Sequence, residues 1–311
     1  MSGAIMNKTI KRRISYYEAE ARQRVAGLVD EGSFTEFCPP DQRLTSPHLA
    51  RLDAPLAFDD GVVVGRARLG GKPVFIAAQE GQFNGGSVGE VHGAKIRGLL
   101  LRAVQEKPAA VLLLVDSGGV RLHEANAGLI AISEIMRAVL AVRAVGVPVY
   151  ALVGGSCGAF GGMGIVTRLC DRVLMSEEGR LGLSGPEVIE TVKGVDEFDS
   201  RDRALVWRVT GGKERCALGE ADRLVDDDMA AFREAVAALL LQSVAVSGES
   251  LADLRAAQAR LSARAEQFAE ARDGLEIWRA RGFAEPKGVP MLTADEFNRQ
   301  LSAKAQEEVP A

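Results

Sequence analysis

Three glycine-rich segments carry the residues whose types and spacing could do chemistry. They are residues 83–95, 116–125 and 154–164. The second and third each follow a continuous apolar run and lead into a helical pattern. The first turn of a helix has backbone N–H groups without partners and a positive potential, and glycine lets a substrate approach them closely. Two such turns at successive strand ends predict a site for a phosphate or for a developing oxyanion.

The candidate oxyanion donors are backbone N–H groups in the second and third segments. They belong to Gly118, Gly119, Val120, Gly154, Gly155 and Ser156. His92 and His123 are the titratable side chains nearest to these turns. Either could donate a proton, since histidine titrates near neutral pH. For each histidine taken singly, a structural role with hydrogen-bonded ring nitrogens is the favoured interpretation. The role of proton donor is the alternative.

Arg121 places a cation beside the second segment, where it could bind a carboxylate or phosphate of a substrate. The favoured alternative for Arg121 is an ion pair with Glu124 or another carboxylate. Ser156 and Cys157 are expected to line the pocket and are given no covalent role.

One hydrolase pattern occurs in the third segment. Residues 154–158 fit the G-x-S-x-G sequence of a nucleophile elbow. In such hydrolases the acid and the histidine follow the serine in the chain. Here His48, His92 and His123 all precede Ser156, so a Ser–His–Asp hydrolase of that order is excluded.

Two other kinds of site are not expected. Gly212 and Lys213 are followed by Glu214 rather than by Ser or Thr, so there is no P-loop. The cysteines form no C-x-x-C pair, and no His or Cys pair has convincing metal-ligand spacing. These cysteines are Cys38, Cys157, Cys170 and Cys216. We expect no metal, and a reduced cytoplasmic protein whose cysteines are mostly small core residues.

The composition is that of an ordinary globular protein. The 311 residues are 47% hydrophobic and 26% charged, with a net charge of -4. The sequence has no basic stripe of the kind that binds nucleic acid, so no nucleic-acid partner is expected. The longest apolar runs have strand length, so no membrane span is expected. The first 15 residues contain no apolar stretch typical of a secretory signal.

Alternating strands and helices must position the three segments. The predicted strands are residues 62–69, 73–78, 111–115, 148–153 and 172–175. The first two are joined by Gly70 and Gly71, which predicts a hairpin. The first predicted helix begins at Ser15, which has capping-box spacing to Glu18. The other predicted helices cover residues 88–105, 124–144, a segment after 154–164, a short segment from Gly185, 201–209 and 214–218. This pattern predicts an α/β fold of stacked strand–helix turns, with the site at the strand ends.

The chain is predicted to contain one α/β domain at residues 15–228 and a helical extension at 229–302. Residues 1–14 are expected to be frayed and residues 303–311 disordered. Within the extension, residues 251–281 are predicted as one Ala/Arg/Glu-rich helix. Its leucine spacing of seven hints at a coiled coil, but too few heptads support it, and packing on its own domain or on a partner is favoured.

Four segments in register resemble the beta chain of bacterial acetyl-CoA carboxylase carboxyltransferase. They are residues 24–34, 85–95, 117–125 and 185–190. The second contains Gly-Gly-Ser-Val-Gly and then Gly-Ala-Lys, the third Ser-Gly-Gly-Val-Arg, and the fourth Gly-Pro-Glu-Val-Ile-Glu. The resemblance implies a crotonase-like fold of stacked strand–strand–helix turns. Together with Arg121, the expected substrate-binding residues are Gly85, Gly86, Ser87, Ser117, Cys157, Gly158, Gly185 and Pro186.

The departures from the carboxylase pattern resemble the beta subunit of biotin-independent malonate decarboxylases. The zinc ribbon is missing, Val120 replaces Ala, and His92 and His123 stand where the carboxylase has apolar residues. In this family a beta and a gamma subunit decarboxylate a malonyl thioester. The resemblance implies a gamma partner in a heteromeric complex such as a dimer of heterodimers. It also implies an acyl-carrier subunit with a CoA-like, phosphopantetheine-type prosthetic group, no permanently bound cofactor and no biotin.

The resemblance implies that the glycine turns stabilise the enolate left by decarboxylation before its carbon is protonated. A biotin-dependent carboxyltransferase subunit, which shares the fold and the turns, is the runner-up interpretation. A third is a binding scaffold that holds a thioester without turnover.

Overall fold

The computed structural model describes residues 13–51, 60–242 and 250–307. Its strands are β1 (Thr35–Phe37), β2 (Val62–Leu69), β3 (Lys72–Gln79), β4 (Ala110–Val115), β5 (Val149–Val153), β6 (Arg172–Met175) and β7 (Arg223–Leu224). Its α-helices are α1 (Ala21–Leu28), α2 (Glu90–Glu106), α3 (Ala127–Ala144), α4 (Gly162–Arg168), α5 (Pro186–Lys193), α6 (Arg203–Thr210), α7 (Gly212–Ala217), α8 (Met229–Leu241), α9 (Leu251–Gln267), α10 (Gly274–Ala280) and α11 (Ala294–Glu307). Short 3₁₀ helices cover Pro40–Gln42, Leu49–Arg51, Asn84–Gly86, Leu122–Glu124 and Pro286–Met291.

The strands form one seven-stranded mixed sheet in which they lie in sequence order. β1, β2 and β3 pair antiparallel, whereas β3 to β7 pair parallel. The predicted hairpin is confirmed, with Leu69 paired to Lys72 across Gly70 and Gly71. The N–H groups of both glycines donate to the carboxylate of Asp30, at 3.0 and 2.8 Å. Parallel strands need long crossover connections, which places helices over the faces of the sheet.

Each face of the sheet buries its own apolar cluster, because side chains alternate between the two sides of a strand. In β4, Val111 and Leu113 belong to the first cluster, whereas Leu112 and Leu114 belong to the second. α2 and α3 pack on the first face, and α1 and α8 pack on the second. The continuous apolar run of β4 is therefore a strand covered on both sides, as its sequence predicts.

A second, smaller layer stacks the segments that follow the strands. Isolated parallel bridges join Val88 to Val120, Ser117 to Ala159, and Ala159 to Leu181. Each turn around the molecule thus adds one strand to the sheet and one short extended segment to the second layer. This confirms the predicted stacked strand–strand–helix architecture and aligns the glycine segments side by side.

Two predicted helix boundaries are wrong. Residues 15–18 form a turn, and α1 begins only at Ala21. The Ser15 hydroxyl does accept a hydrogen bond from the Glu18 N–H, but it also donates to Asp227 at 2.6 Å. The predicted helix at 251–281 is interrupted, because Asp273 caps a separate helix α10 by accepting from the Leu275 N–H.

The C-terminal helices differ from one another in how they pack. None of the α9 residues is buried. By contrast, α10 and α11 insert Trp278 and Phe297 into the first apolar cluster. α11 continues to Glu307, into the segment from residue 303 for which disorder is expected. At the other end, the Ile14 carbonyl accepts from the Met229 N–H at 2.8 Å. Residues 1–12 and 308–311 lie outside the described ranges.

Among the described helices, none combines the length and apolar character needed to cross a bilayer.

Candidate active site

The three glycine segments meet at one edge of the sheet, as predicted. They follow β3, β4 and β5, which are neighbouring parallel strands whose carboxyl ends lie at the same edge. The Gly118 N–H donates to the Gly85 carbonyl at 2.9 Å, which joins the first two segments. The Ser117 N–H donates to the Gly158 carbonyl at 2.6 Å, which joins the second and third. The segments therefore form one hydrogen-bonded unit.

Glycine is required where the first segment crosses the second. A Cβ built on Gly86, whose φ is +63°, would lie 1.7 Å from the main-chain oxygen of Asp116. No side chain fits at that distance. The Gly-Gly pair of the first segment therefore allows close backbone packing, which is a structural reason for Gly86 in addition to its predicted substrate contact.

Three of the six predicted donors have unpartnered N–H groups. In the described part of the chain, the N–H groups of Val120, Gly155 and Ser156 have no hydrogen-bond acceptor. The Gly119 N–H has only a 3.3 Å contact with the Ser117 hydroxyl of its own turn. Unpartnered N–H groups on two linked turns are the arrangement that stabilises negative charge on a substrate oxygen.

The other two predicted donors do not fit this role. The Gly118 N–H is bonded to Gly85 and so is already satisfied. Gly154 is buried against the second apolar cluster, where a Cβ would lie 2.8 Å from Tyr16 and 3.1 Å from Phe232. Gly154 therefore allows close packing against the second apolar cluster, which is a structural reason for this glycine.

Sequence reasoning did not single out Gly161 and Gly162. A Cβ built on Gly161 would lie 3.3 Å from the Cα of Gly119, so this part of the third segment adjoins the second turn. α4 begins at Gly162. The available signal was a second Gly-Gly pair in the same segment, directly before the helix.

His92 lies in the interior with both ring nitrogens engaged. Its side chain is fully buried, Nδ1 lies 2.8 Å from the Asp60 carbonyl, and Nε2 lies 3.0 Å from the Gln79 amide nitrogen. Burial, followed by the positive charge of Arg121, lowers the pKa of His92 to about 3. A neutral, enclosed imidazole cannot deliver protons to a substrate near neutral pH. The structural alternative for His92 is thus the one that its environment supports.

Arg121 is also a structural residue rather than an open anion-binding group. Its Nε donates to the Ser87 carbonyl at 3.0 Å, and Nη1 lies 3.0 Å from the Glu124 carboxylate. Nη2 donates to the Asp60 carbonyl at 2.6 Å. The side chain is 2% exposed. Arg121 therefore ties the first two segments together, and the predicted contact with a substrate anion does not fit this geometry.

His123 is the predicted proton donor that remains accessible. It lies on the 3₁₀ helix Leu122–Glu124, and its side chain is 48% exposed. Nε2 lies 4.0 Å from the Glu124 carboxylate. An exposed imidazole three residues after Val120 is suitably placed for proton exchange.

Comparison with known proteins now adds to this geometry. Residues 18–245 match the family model described as a carboxyl transferase domain. This chain belongs to the carboxyl transferase family. The four segments that suggested this resemblance all lie within the matched residues.

Within this family, the chain is similar to proteins of malonate decarboxylases. A Malonomonas rubra protein named malonyl-S-ACP:biotin-protein carboxyltransferase is 41% identical over 307 residues, covering 92% of this chain and 95% of the relative. A chain of the Pseudomonas malonate decarboxylase hetero-tetramer in complex with malonate has a TM-score of 0.70 and 46% identity, covering 73% of this chain and 84% of that one. A chain of the Pseudomonas malonate decarboxylase MdcD–MdcE hetero-dimer has a TM-score of 0.64 and 39% identity, covering 80% and 97%. The resemblance to malonate decarboxylase subunits and the crotonase-like fold are confirmed.

The remaining predicted site residues lie around the turns. The Ser87 hydroxyl donates to the Asn84 carbonyl at 2.6 Å within its own turn. The thiol of Cys157 is half-buried and lies 3.4 Å from the Gly81 carbonyl. Gly185 caps α5 and Pro186 is its first residue, directly after the segment whose Leu183 carbonyl accepts from Gly161.

Across the described ranges, no group of three or more His, Cys, Asp or Glu side chains is placed to hold a metal ion.

Proposed function

We propose that this chain is the beta-type subunit of a malonate decarboxylase, which converts a malonyl thioester into an acetyl thioester and CO2. The observation that carries the proposal is the set of unpartnered N–H groups of Val120, Gly155 and Ser156 on two turns that hydrogen-bond to each other. The similarity to malonate decarboxylase structures, and to a relative named for malonyl-S-ACP, supports a malonyl thioester as the substrate.

The reaction breaks the bond between the α-carbon and the carboxylate carbon. CO2 leaves, and the electron pair forms an enolate whose negative charge lies on the thioester oxygen. Fixed N–H donors stabilise that charge, and each donor lowers the activation barrier by about 3–4 kcal/mol. No covalent nucleophile is needed. Consistent with this, burial and the nearby Asp116 charge raise the pKa of the Cys157 thiol, which keeps it unreactive.

We assign protonation of the α-carbon to His123. Its accessible ring beside the second turn supports this assignment. We expect His123→Ala to lower kcat by about 10²-fold or more, the usual contribution of a positioned acid. The variant should also lose the fall in kcat at high pH that a histidine acid produces. An unchanged pH–rate profile in His123→Ala would assign the proton donor to another group.

A partner subunit is expected to complete the site. Apolar side chains near the turns and along α5 are exposed, including Leu122, Leu183, Val188, Val192 and Val195. A concentration of exposed apolar side chains in one part of a chain is typical of an interaction surface. We propose that a gamma-type subunit covers them in a heteromeric complex. An acyl-carrier subunit would deliver the malonyl group on a phosphopantetheine-type arm, without a permanently bound cofactor on this chain.

Carboxyl transfer to biotin is the second candidate function. The Malonomonas rubra relative is named for transfer from malonyl-S-ACP to a biotin protein, and it resembles this chain over nearly its full length. Both reactions begin with the same carbon–carbon cleavage and the same enolate. They differ in the fate of the carboxyl group, which is either released as CO2 or bound to a biotin nitrogen.

The deciding experiment uses this chain co-expressed with its candidate gamma partner. Malonyl-CoA replaces the carrier-bound substrate, and the release of CO2 and acetyl-CoA is followed with avidin present to sequester biotin. Release at an undiminished rate supports biotin-independent decarboxylation. If release requires a biotin carrier, and carboxybiotin forms, the transferase function is correct instead. Binding of malonyl-CoA without either product would identify a binding scaffold.

A further inference from the structure

A buried carboxylate lies beneath the turns that carry the candidate donors. Asp116 directly follows β4 and is 1% exposed. Its Oδ1 accepts from the Cys157 N–H at 2.7 Å, and its Oδ2 accepts from Nη1 of Arg24 at 2.8 Å. The first of these bonds fixes the turn that contains Gly155 and Ser156. Asp116 is therefore linked directly to that turn while belonging to the segment that contains Val120.

Glycine allows the turns to pack against Asp116 without a gap. A Cβ built on Gly155 would lie 2.2 Å from the Cγ of Asp116, and one on Gly81 would lie 2.6 Å from Oδ2. The main-chain oxygen of Asp116 has a similarly close contact with Gly86. Asp116 thus belongs to the second segment, its main-chain oxygen adjoins the first, and its carboxylate adjoins the third, so a shift of the carboxylate would be transmitted to the turn that contains Gly155.

Arg24 holds the Asp116 carboxylate from the opposite side. Its Nε donates to the Tyr16 carbonyl at 2.9 Å and Nη2 donates to the Tyr17 carbonyl at 3.3 Å. The guanidinium also lies over the Tyr16 ring, 4.9 Å from its centroid. The side chains of Arg24 and Asp116 are 3% and 2% exposed, so water does not compete for the ion pair. Within the described ranges, Arg24 makes no hydrogen bond to the donor turns, and its link to them runs through Asp116.

We propose that Asp116 is a positioning residue of the decarboxylation site, oriented by Arg24. Its carboxylate holds the Gly155–Ser156 turn in register with the Val120 turn, so that their N–H groups face the same substrate oxygen. The inference rests on the proposed function and deepens it by naming the side chains that fix the donors. Because the donors act on charge that develops in the transition state, displacement of one turn should lower kcat more than it raises KM.

The chain contains a matched ion pair at the other end of the same strands. Nε of Arg143 lies 2.9 Å from Oδ1 of Asp171, and Oδ2 accepts from the Val149 N–H at 2.8 Å. Their side chains are 15% and 6% exposed. Asp171 therefore makes the same two kinds of bond as Asp116, but at the start of β5 and β6, far from the carboxyl ends that form the site.

The test compares Asp116→Asn with Asp171→Asn in the co-expressed complex. Both variants lose a buried ion pair, so both should lower the midpoint of thermal unfolding. We expect only Asp116→Asn to reduce kcat by tenfold or more, with KM for malonyl-CoA within about threefold of wild type. Wild-type kcat in a folded Asp116→Asn complex, or an equal loss in Asp171→Asn, would overturn the inference.

If Asp116→Asn does not assemble, the two variants Arg24→Gln and Arg24→Lys decide the question. Glutamine removes the charge that orients Asp116, whereas lysine retains it. We expect Arg24→Gln to lower kcat at unchanged KM, and Arg24→Lys to restore most of the activity. Equal kcat in the two variants would overturn the inference. Inactivity of the wild-type complex would instead count against the proposed function, so failure of one proposal is distinguishable from failure of the other.

Discussion

Burial gives the two histidines near the glycine turns different properties. In His92, Nδ1–H can donate to the Asp60 carbonyl while Nε2 accepts from the Gln79 amide, which satisfies a neutral ring. A second ring proton would face the amide N–H without an acceptor. His123 has an exposed ring and can exchange protons with a ligand or with water. At the scale of single residues, the surroundings of a histidine therefore say more about its capacity to transfer a proton than its presence in the sequence does.

The buried His92 should make the protein less stable at mildly acidic pH. Its folded pKa of about 3 lies below the ordinary histidine value of about 6.5. Between these values only the unfolded chain takes up the proton, so stability present above about pH 6.5 is lost as the pH falls. Linkage gives a loss of about 2 kcal/mol between pH 7 and pH 5. Urea unfolding of wild type and His92→Gln at both pH values measures it. The fall in the free energy of unfolding from pH 7 to pH 5 should be smaller by about 2 kcal/mol in His92→Gln than in wild type. An equal fall in the two proteins would contradict the lowered pKa of His92.

The glycine segments were predictable from the sequence, but their individual roles were not. Glycine pairs after apolar runs correctly located the edge of the sheet at which the turns meet. Whether a particular N–H is free depends on contacts between segments, such as the bond from Gly118 to Gly85. The fate of Arg121 depends on Asp60, 61 positions away in the chain. No local pattern contains that information.

At the scale of elements, strands were predicted more accurately than helix ends. The predicted strand 172–175 coincides with β6, and 111–115 differs from β4 by one residue. A buried strand is recognised from its own apolar run. Before α1, Ser15 donates to the distant Asp227, whereas α10 begins at its own cap, Asp273, which also pairs with Arg208.

The exposed face of α5 provides a test of the partner proposal. Val192 is 74% exposed, and we expect it to lie in the interface with the gamma-type subunit. Val192→Asp would place a charge in that interface and should weaken the complex at least tenfold, which corresponds to about 1.4 kcal/mol. Leu241→Asp is the matched control, because Leu241 is 79% exposed on α8. Titration of the partner followed by light scattering measures both. Equal affinity in the two variants would exclude this face of α5 from the interface.

At the scale of the whole molecule, the C-terminal helices are not simply an appendage. α8 contributes Phe232 to the second apolar cluster, and α10 and α11 contribute Trp278 and Phe297 to the first. The predicted boundary at residue 228 separates segments that share these cores. The family match likewise continues to residue 245, beyond that boundary. A core assembled from both ends of the chain should unfold in one cooperative transition.

Two substitutions in the C-terminal region distinguish a shared core from an independent extension. Trp278 is fully buried, so Trp278→Ala should lower the free energy of unfolding by about 3–5 kcal/mol. Leu261 on α9 is 52% exposed, and Leu261→Ala should change the free energy of unfolding by less than about 0.5 kcal/mol. Urea unfolding is followed by far-UV circular dichroism and by the exposure of Cys216, which lies in the first cluster with Trp278. If the sheet and the C-terminal helices form one unit, both signals shift together in Trp278→Ala. An early loss of helix signal, with Cys216 still protected, would show that α10 and α11 unfold independently of the core.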